Sequence, residues 1–145
     1  TWLEEEWLHI TGTDFAETYT GSHRFEDYQV EARFRPLHGP QHYINIRVQG
    51  AMRSYAAGFH QPGRLALLKN ENGTAQWTET AYPWEEGKEY RLTVRAKENT
   101  ICILENGKEL LSYTDPEAPY LTGAFGFSVQ SGSHCSYAGI KVRGI

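Results

Sequence analysis

The sequence lacks most of the features that would assign it to a specialised class of protein. Its 145 residues include only two cysteines and one methionine, and no apolar run is long enough to cross a membrane. The 14 Lys and Arg residues and the 18 Asp and Glu residues are not gathered into blocks of one sign. Nucleic acid and membrane are therefore poor candidate partners. The length fits one domain, residues 1–145, with a single core.

The scarcity of cysteine also excludes a disulfide framework. Cys102 and Cys135 have no close spacing that would indicate a metal site, and Cys102 lies in an apolar run, so we predict two unpaired structural thiols. His134 and Cys135 are adjacent on a predicted strand and point to opposite faces, which disfavours zinc. No aspartate-rich loop marks a calcium site. We predict no cofactor, and structural calcium is unsupported.

What the sequence does contain is hydrophobic alternation with a period of two. In YQVEARF (28–34), every second residue is apolar, as in a half-buried strand. The same pattern recurs at 43–49, 54–59, 64–70, 90–96, 101–113, 125–130 and 138–144. The pattern predicts at least eight strands and no helix.

Turn residues separate these runs at short intervals. Asn106-Gly107 and Asn72-Gly73 each stand between two apolar stretches, where both residues can take positive φ in a two-residue hairpin. The sequon Asn72-Gly73-Thr74 is better explained as this turn than as a glycosylation site. Short strands joined by tight turns predict an all-β, antiparallel sandwich or barrel.

One strand carries a candidate binding row. In YINIRVQ (43–49) the isoleucines and the valine occupy one face, and the polar residues Tyr43, Asn45, Arg47 and Gln49 occupy the other. Such a row offers hydrogen-bonding groups in a line, as sugar hydroxyls require. A solvated face with exposed ion pairs is the alternative. Pairing across the Gly50 turn places Tyr55 beside Arg47, and we predict these two as the central pair.

Trp77 and Glu79 extend the predicted site to its rim. They lie on one face of the strand after Asn72-Gly73, and an exposed indole is a flat platform for a sugar ring. Core packing is the commoner fate of tryptophan. Asp115 precedes a proline, so we predict that its main role is to form a turn. No motif places a carboxylate or a nucleophile beside a catalytic partner.

The run PWEEGKEYRLTVRAKENTICILENGKELLSYTDPEAPYLTGAFGF (83–127) resembles the concanavalin A-like jelly rolls. Two relatives share its order of Trp-x-x-Gly-x-x-Tyr, Asn-Gly, Asp, Pro-Tyr, Gly and Gly. They are the C-terminal accessory domain of ADP-ribosylglycohydrolase-type proteins and carbohydrate-binding module family 66. The stretches IRVQGAMRSYAAGF and GSHC also resemble the accessory domain. The resemblance covers about residues 25–145 and implies a two-sheet antiparallel jelly-roll β-sandwich, with the N-terminal segment as a first strand.

This resemblance implies a non-catalytic carbohydrate-binding module that binds a glycan or sugar terminus. We expect the domain to be part of a longer bacterial protein that carries a covalently linked hydrolase domain, in an extracellular or a cytoplasmic setting. Two alternatives stay open. One is a glycoside-processing enzyme of the same fold, with Glu79 or Asp115 as candidate carboxylates. The other is a structural module that docks onto its parent catalytic domain.

Overall fold

A computed structural model describes residues 2–4, 7–11, 15–50, 53–72 and 74–145, with backbone only at 2–4, 15–17 and 74–76. None of these residues lies in a helix, so no helix is available to span a membrane. The described residues form thirteen strands. They are β1 (Trp2–Glu4), β2 (Trp7–Thr11), β3 (Phe15–Thr20), β4 (Tyr28–His38), β5 (Gln41–Gly50), β6 (Arg53–His60), β7 (Arg64–Glu71), β8 (Thr74–Ala81), β9 (Tyr90–Lys97), β10 (Thr100–Glu105), β11 (Lys108–Thr114), β12 (Ala124–Gln130) and β13 (His134–Gly144).

The strands form two antiparallel sheets. The seven-stranded sheet has the order β1-β2-β13-β4-β9-β10-β11, and the six-stranded sheet has the order β3-β12-β5-β6-β7-β8. One large apolar cluster fills the space between them. The chain ends pair, since β2 lies beside β13, as predicted for the N-terminal segment. The fold is therefore the predicted jelly-roll β-sandwich.

The predicted period of two is clearest in β4. Its buried and half-buried residues alternate along almost the whole strand, because one face meets the core and the other is wetted. The hairpin between β10 and β11 is also as predicted, since Asn106 has φ of 51° and Gly107 has φ of 81°, as a type I′ turn requires. At the hairpin between β7 and β8, Asn72 also has positive φ, and Gly73 lies outside the described residues.

The alternation fails in β5 at Arg47. This residue has φ of 52°, a left-handed conformation that few non-glycine residues adopt in a strand. The register with β6 and with β12 shifts at the same place, which is the behaviour of a β-bulge. The bulge turns the Arg47 side chain out of the row that Tyr43 and Asn45 begin. The prediction that Arg47 lies on an exposed sheet face is wrong, because its side chain is fully buried.

The buried guanidinium of Arg47 joins three segments of loop. Its Nε and Nη2 donate to the carbonyl of Glu26, each at 3.2 Å, and Nη2 also pairs with Oδ1 of Asp27 at 3.0 Å. Nη1 donates to the carbonyls of Glu98 and Tyr120. A buried charge is stable only when it is paired and hydrogen-bonded. Arg47 is thus a structural residue that fixes the loops at one end of the sandwich.

A second buried polar residue of β5 is His42. Its side chain is inaccessible, its Nε2 donates to the carbonyl of Gly39 at 2.6 Å, and its ring packs edge-on against Trp84. Nδ1 has no hydrogen-bond partner among the described residues. Burial is the largest cause that lowers the pKa of His42, to about 4, while the hydrogen bond to Gly39 opposes it. His42 is therefore neutral in the folded protein at neutral pH.

We predict that Arg47→Ala lowers the free energy of unfolding by about 3–5 kcal/mol, the usual cost of breaking a buried ion pair from one side. The reason is that Asp27 and the carbonyls of Glu26, Glu98 and Tyr120 lose their donor. Urea unfolding followed by circular dichroism measures the change. Arg64→Ala is the matched control, because Arg64 forms an exposed pair with Glu79 and should cost less than about 1 kcal/mol. Equal losses in the two variants would contradict the structural role of Arg47.

We predict that the protein loses stability between about pH 6.5 and pH 4 because of His42. In this range the unfolded histidine gains a proton that the buried one does not, so acid favours the unfolded state. The full effect is about 3 kcal/mol. In His42→Gln this part of the pH dependence should disappear from urea unfolding curves, whereas the exposed His23→Gln should keep it. An unchanged pH profile in His42→Gln would refute the assignment.

Candidate functional site

A cleft opens where the edges of the two sheets meet, between β7, β8 and β11. Strand β8 is the edge of the six-stranded sheet, and β11 is the edge of the seven-stranded sheet. The segment that follows β11 closes one side of the cleft. The cleft has a volume of about 410 Å³. The residues that line it are Lys69, Glu71, Trp77, Tyr113, Asp115, Pro116, Glu117 and Ala118. These residues combine an aromatic wall with a charged floor.

The aromatic wall is formed by Trp77 and Tyr113. Their rings are stacked, with centroids 4.6 Å apart and planes inclined by 21°, and both side chains keep part of their surface accessible. A bulge in β8 positions the indole: Leu67 pairs with Thr78 and Leu68 with Gln76, so Trp77 is the extra residue between them. Beneath the wall, the ring of Tyr55 lies 4.8 Å from that of Trp77.

The floor of the cleft is a buried ion pair between Lys69 and Asp115. Lys69 Nζ lies 2.8 Å from Asp115 Oδ2, and both side chains are less than a tenth exposed. The same Oδ2 accepts a hydrogen bond from the Tyr55 hydroxyl at 2.8 Å, and Oδ1 accepts one from the Glu117 backbone N–H at 3.0 Å. The last of these is the turn contact that the sequence predicts for Asp before Pro. Asp115 therefore forms the turn and also anchors it to the sheet.

The ammonium of Lys69 is saturated by oxygen atoms. Besides Asp115, it donates to the carbonyls of Glu117 at 2.9 Å and Ala118 at 3.2 Å, so its three protons each have an acceptor. It also lies 5.0 Å from the centre of the Tyr120 ring. Ala118 has φ of 44°, which directs its carbonyl into this arrangement at some backbone strain. These contacts fix the segment that follows β11 against the floor of the cleft.

The contacts of Asp115 determine its charge. Burial tends to raise the pKa of Asp115, but the hydrogen bonds from Lys69, from the Glu117 N–H and from Tyr55 together hold it below the ordinary value. Burial, with the bond to Asp115, raises the pKa of Tyr55. At neutral pH Asp115 is thus an ionised carboxylate and Tyr55 a protonated phenol.

The structure separates the residues predicted to bind. Tyr43 and Asn45 lie on the predicted face but are buried, so the prediction of an exposed row is corrected. Tyr43 contacts His60 and clusters with small and aliphatic residues of β6 and β7. Asn45 bonds the hydroxyls of Ser54 and Ser128. The sheet buries both of its faces at the centre, which alternation does not reveal.

Tyr55 is also buried, and Tyr120 links it to Arg47, because the Tyr120 N–H donates to the Tyr55 hydroxyl and the Tyr120 carbonyl accepts from Arg47 Nη1. Tyr55 pairs with Ile46 across β5 and β6, and directly paired residues lie on the same face, here that of the core. Gln49 is exposed, and its Nε2 donates to the Thr122 carbonyl at 3.2 Å. The side chains of Tyr43, Asn45 and Arg47 therefore offer a ligand almost no accessible surface.

Of the residues predicted to bind a ligand, Trp77 lines the cleft, and Tyr55 supports the floor of the cleft. Glu79 is not among the lining residues and instead forms an ion pair with Arg64 at 3.0 Å. The prediction missed Lys69 and Tyr113. Lys69 offered a signal, because it continues the core-facing row of Leu65 and Leu67, and a lysine on an apolar face requires a buried anion.

Other chemistry is sparse in the described part of the chain. No three His, Cys, Asp or Glu side chains converge there as metal ligands. Cys102 and Cys135 are buried and unpaired, as predicted. A larger cavity of about 570 Å³ lies against Phe25, Tyr28 and Phe125, but its lining is mainly apolar. The cleft at Trp77 is the better candidate site because it combines rings and charges.

Comparison with solved structures supports the fold. The chain is similar to the carbohydrate-binding module CBM66 from Bacillus subtilis, with a TM-score of 0.81 and 15% identity over 95% of both chains. It is also similar to the galectin LEC-6 of Caenorhabditis elegans (TM-score 0.61, 14% identity, 97% of this chain and 99% of that chain). The third is the exoplasmic/lumenal domain of VIP36 in its Ca²⁺/Man3GlcNAc-bound form (TM-score 0.67, 16% identity, 99% and 80%).

Sequence comparisons give no further assignment. No family model matches the chain, and no curated protein matches it. The predicted link to the accessory domain of ADP-ribosylglycohydrolase-type proteins stays a prediction. At the level of fold, the chain is a jelly-roll β-sandwich, similar in structure to a carbohydrate-binding module, a galectin and the VIP36 domain.

Proposed function

We propose that this protein is a non-catalytic carbohydrate-binding module whose ligand, a glycan or sugar terminus, lies in the cleft at Trp77 and Tyr113. The observation that carries the proposal is that the stacked aromatic pair and a group of charged side chains line the same cleft. Sugar rings have an apolar C–H face and a polar rim, and protein sites bind them by combining ring contacts with a few placed polar groups. The similarity to CBM66, a galectin and VIP36 supports the same function.

The electrostatics of Asp115 favour binding over catalysis. A glycosidase of the usual kind needs a carboxylic acid whose pKa is raised, so that it can protonate the leaving oxygen. In Asp115 the pKa is lowered, because three hydrogen bonds stabilise the charged form more than burial opposes it. Asp115 therefore stays ionised and holds its loop in place.

We further propose that the module is accessory to a covalently linked hydrolase domain. A binding domain appended to an enzyme raises the local concentration of substrate without taking part in the reaction. The exposed residues around the cleft, Glu71, Pro116 and Glu117, leave it accessible in the isolated domain. A parent domain that covered this cleft would favour the docking alternative.

The central test replaces Tyr113 with alanine. We predict that the variant binds its best ligand from a glycan array at least about tenfold more weakly in calorimetric titration, because about 1.4 kcal/mol of ring contact is lost. Tyr113 lies on an edge strand and is half-buried, so the fold should survive, and thermal unfolding checks this.

Tyr19→Ala is the matched control. Tyr19 is 44% exposed and lies on β3, at the opposite edge of the six-stranded sheet from β8. Its loss should leave binding unchanged. The proposal fails if no glycan binds the wild type, or if Tyr113→Ala binds as tightly as Tyr19→Ala does.

A further inference from the structure

We propose that the cleft selects sugars that carry a free amino group, and that it rejects sugars that carry a carboxylate. The inference rests on the proposed function, because it concerns the same cleft and names its class of ligand. It is carried by the hydrogen-bonding groups that the cleft leaves available and by the sign of the charges at its rim.

The buried cation of the cleft has no capacity to bind an anion. Each proton of the Lys69 ammonium is already directed at an oxygen, of Asp115, Glu117 or Ala118. The Tyr55 hydroxyl donates to Asp115 and accepts the Tyr120 N–H, so its proton is also taken. A sugar carboxylate that entered would find these donors occupied, and an anion desolvated without a partner is strongly disfavoured.

The available groups are acceptors. The carboxylates of Glu71 and Glu117 are exposed at the rim, and within the described residues no ion pair or side-chain hydrogen bond involves either of them. Arg53 lies opposite Glu71 in the register, but its guanidinium sits over the Tyr120 ring, 5.4 Å from the ring centre. With three carboxylates and one ammonium, the lining of the cleft is negatively charged.

A protonated amine matches both parts of this site. It can donate charge-assisted hydrogen bonds to the rim carboxylates, which are stronger than those from neutral hydroxyls. It is also attracted by cation–π interaction to the face of Tyr113 that is turned away from Trp77, since the rings of Tyr113 and Tyr55 both pack on Trp77 itself. An N-acetylated sugar keeps the ring contact but loses the charge, and a uronic acid reverses it. The expected order of affinity is therefore amino sugar, then N-acetylated sugar, then uronic acid.

Calorimetric titration with three oligosaccharides of equal length tests this order. They are oligomers of glucosamine, of N-acetylglucosamine and of galacturonic acid, measured at a pH where the amine is protonated. We expect the glucosamine oligomer to bind at least about tenfold more tightly than the N-acetylated one, and no measurable binding of the galacturonate oligomer. The preference should shrink as salt is raised, since exposed charges are screened.

The double variant Glu71→Gln/Glu117→Gln separates rim charge from shape. It should reduce the preference for the glucosamine oligomer over the N-acetylated one to within about twofold. Glu109→Gln removes an exposed carboxylate on β11 that does not line the cleft, and it should retain the full preference. A double variant that keeps the preference overturns the inference.

Equal binding of the galacturonate and glucosamine oligomers also overturns it, as does binding of none of the three. The proposed function, carbohydrate binding in this cleft, is judged by different outcomes. It stands if some other glycan binds and depends on Tyr113, and it falls if binding of every glycan is independent of Tyr113.

Discussion

A cation buried in a β-sandwich must be surrounded by oxygen atoms, and the loops of this protein are arranged by that constraint. Arg47 and Lys69 are both nearly inaccessible, and most of their partners are carbonyl groups of loop residues rather than side chains. Each cation can be satisfied only when its loop adopts one conformation. Two charged side chains on the sheet therefore specify backbone positions that turn propensities alone would leave undetermined.

The segment after β11 shows the effect most directly. Lys69 binds the carbonyls at its start and Arg47 binds the carbonyl of Tyr120 near its end. The Tyr120 N–H also donates to the Tyr55 hydroxyl. The segment is therefore attached to the sheet by three side chains, those of Lys69, Tyr55 and Arg47. The side of the cleft that this segment closes is consequently positioned before any ligand arrives, which reduces the entropy lost on binding.

Local patterning predicts the strands and the family resemblance implies the jelly roll, but neither is sufficient for the site. Alternation and Asn-Gly turns predicted most strands, because each depends on residues adjacent in sequence. Arg47 was misplaced because a left-handed residue in a bulge reverses the direction of a side chain, and arginine gives no warning of that conformation as glycine would. The sequence predicts the strand of Trp77, yet Tyr113 and Asp115 join Trp77 and Lys69 only because the edges of the two sheets meet.

The groups that stabilise the cleft are not the groups that its rim presents to a ligand. The floor is fixed by buried charges whose removal would be costly, whereas the rim at Glu71, Pro116, Glu117 and Ala118 is exposed. The Lys69–Asp115 ion pair beneath uses none of these side chains, and it contacts only backbone atoms of Glu117 and Ala118. Rim side chains can therefore be exchanged during evolution with little effect on folding, so related domains of this shape can diverge in ligand preference while the scaffold stays the same.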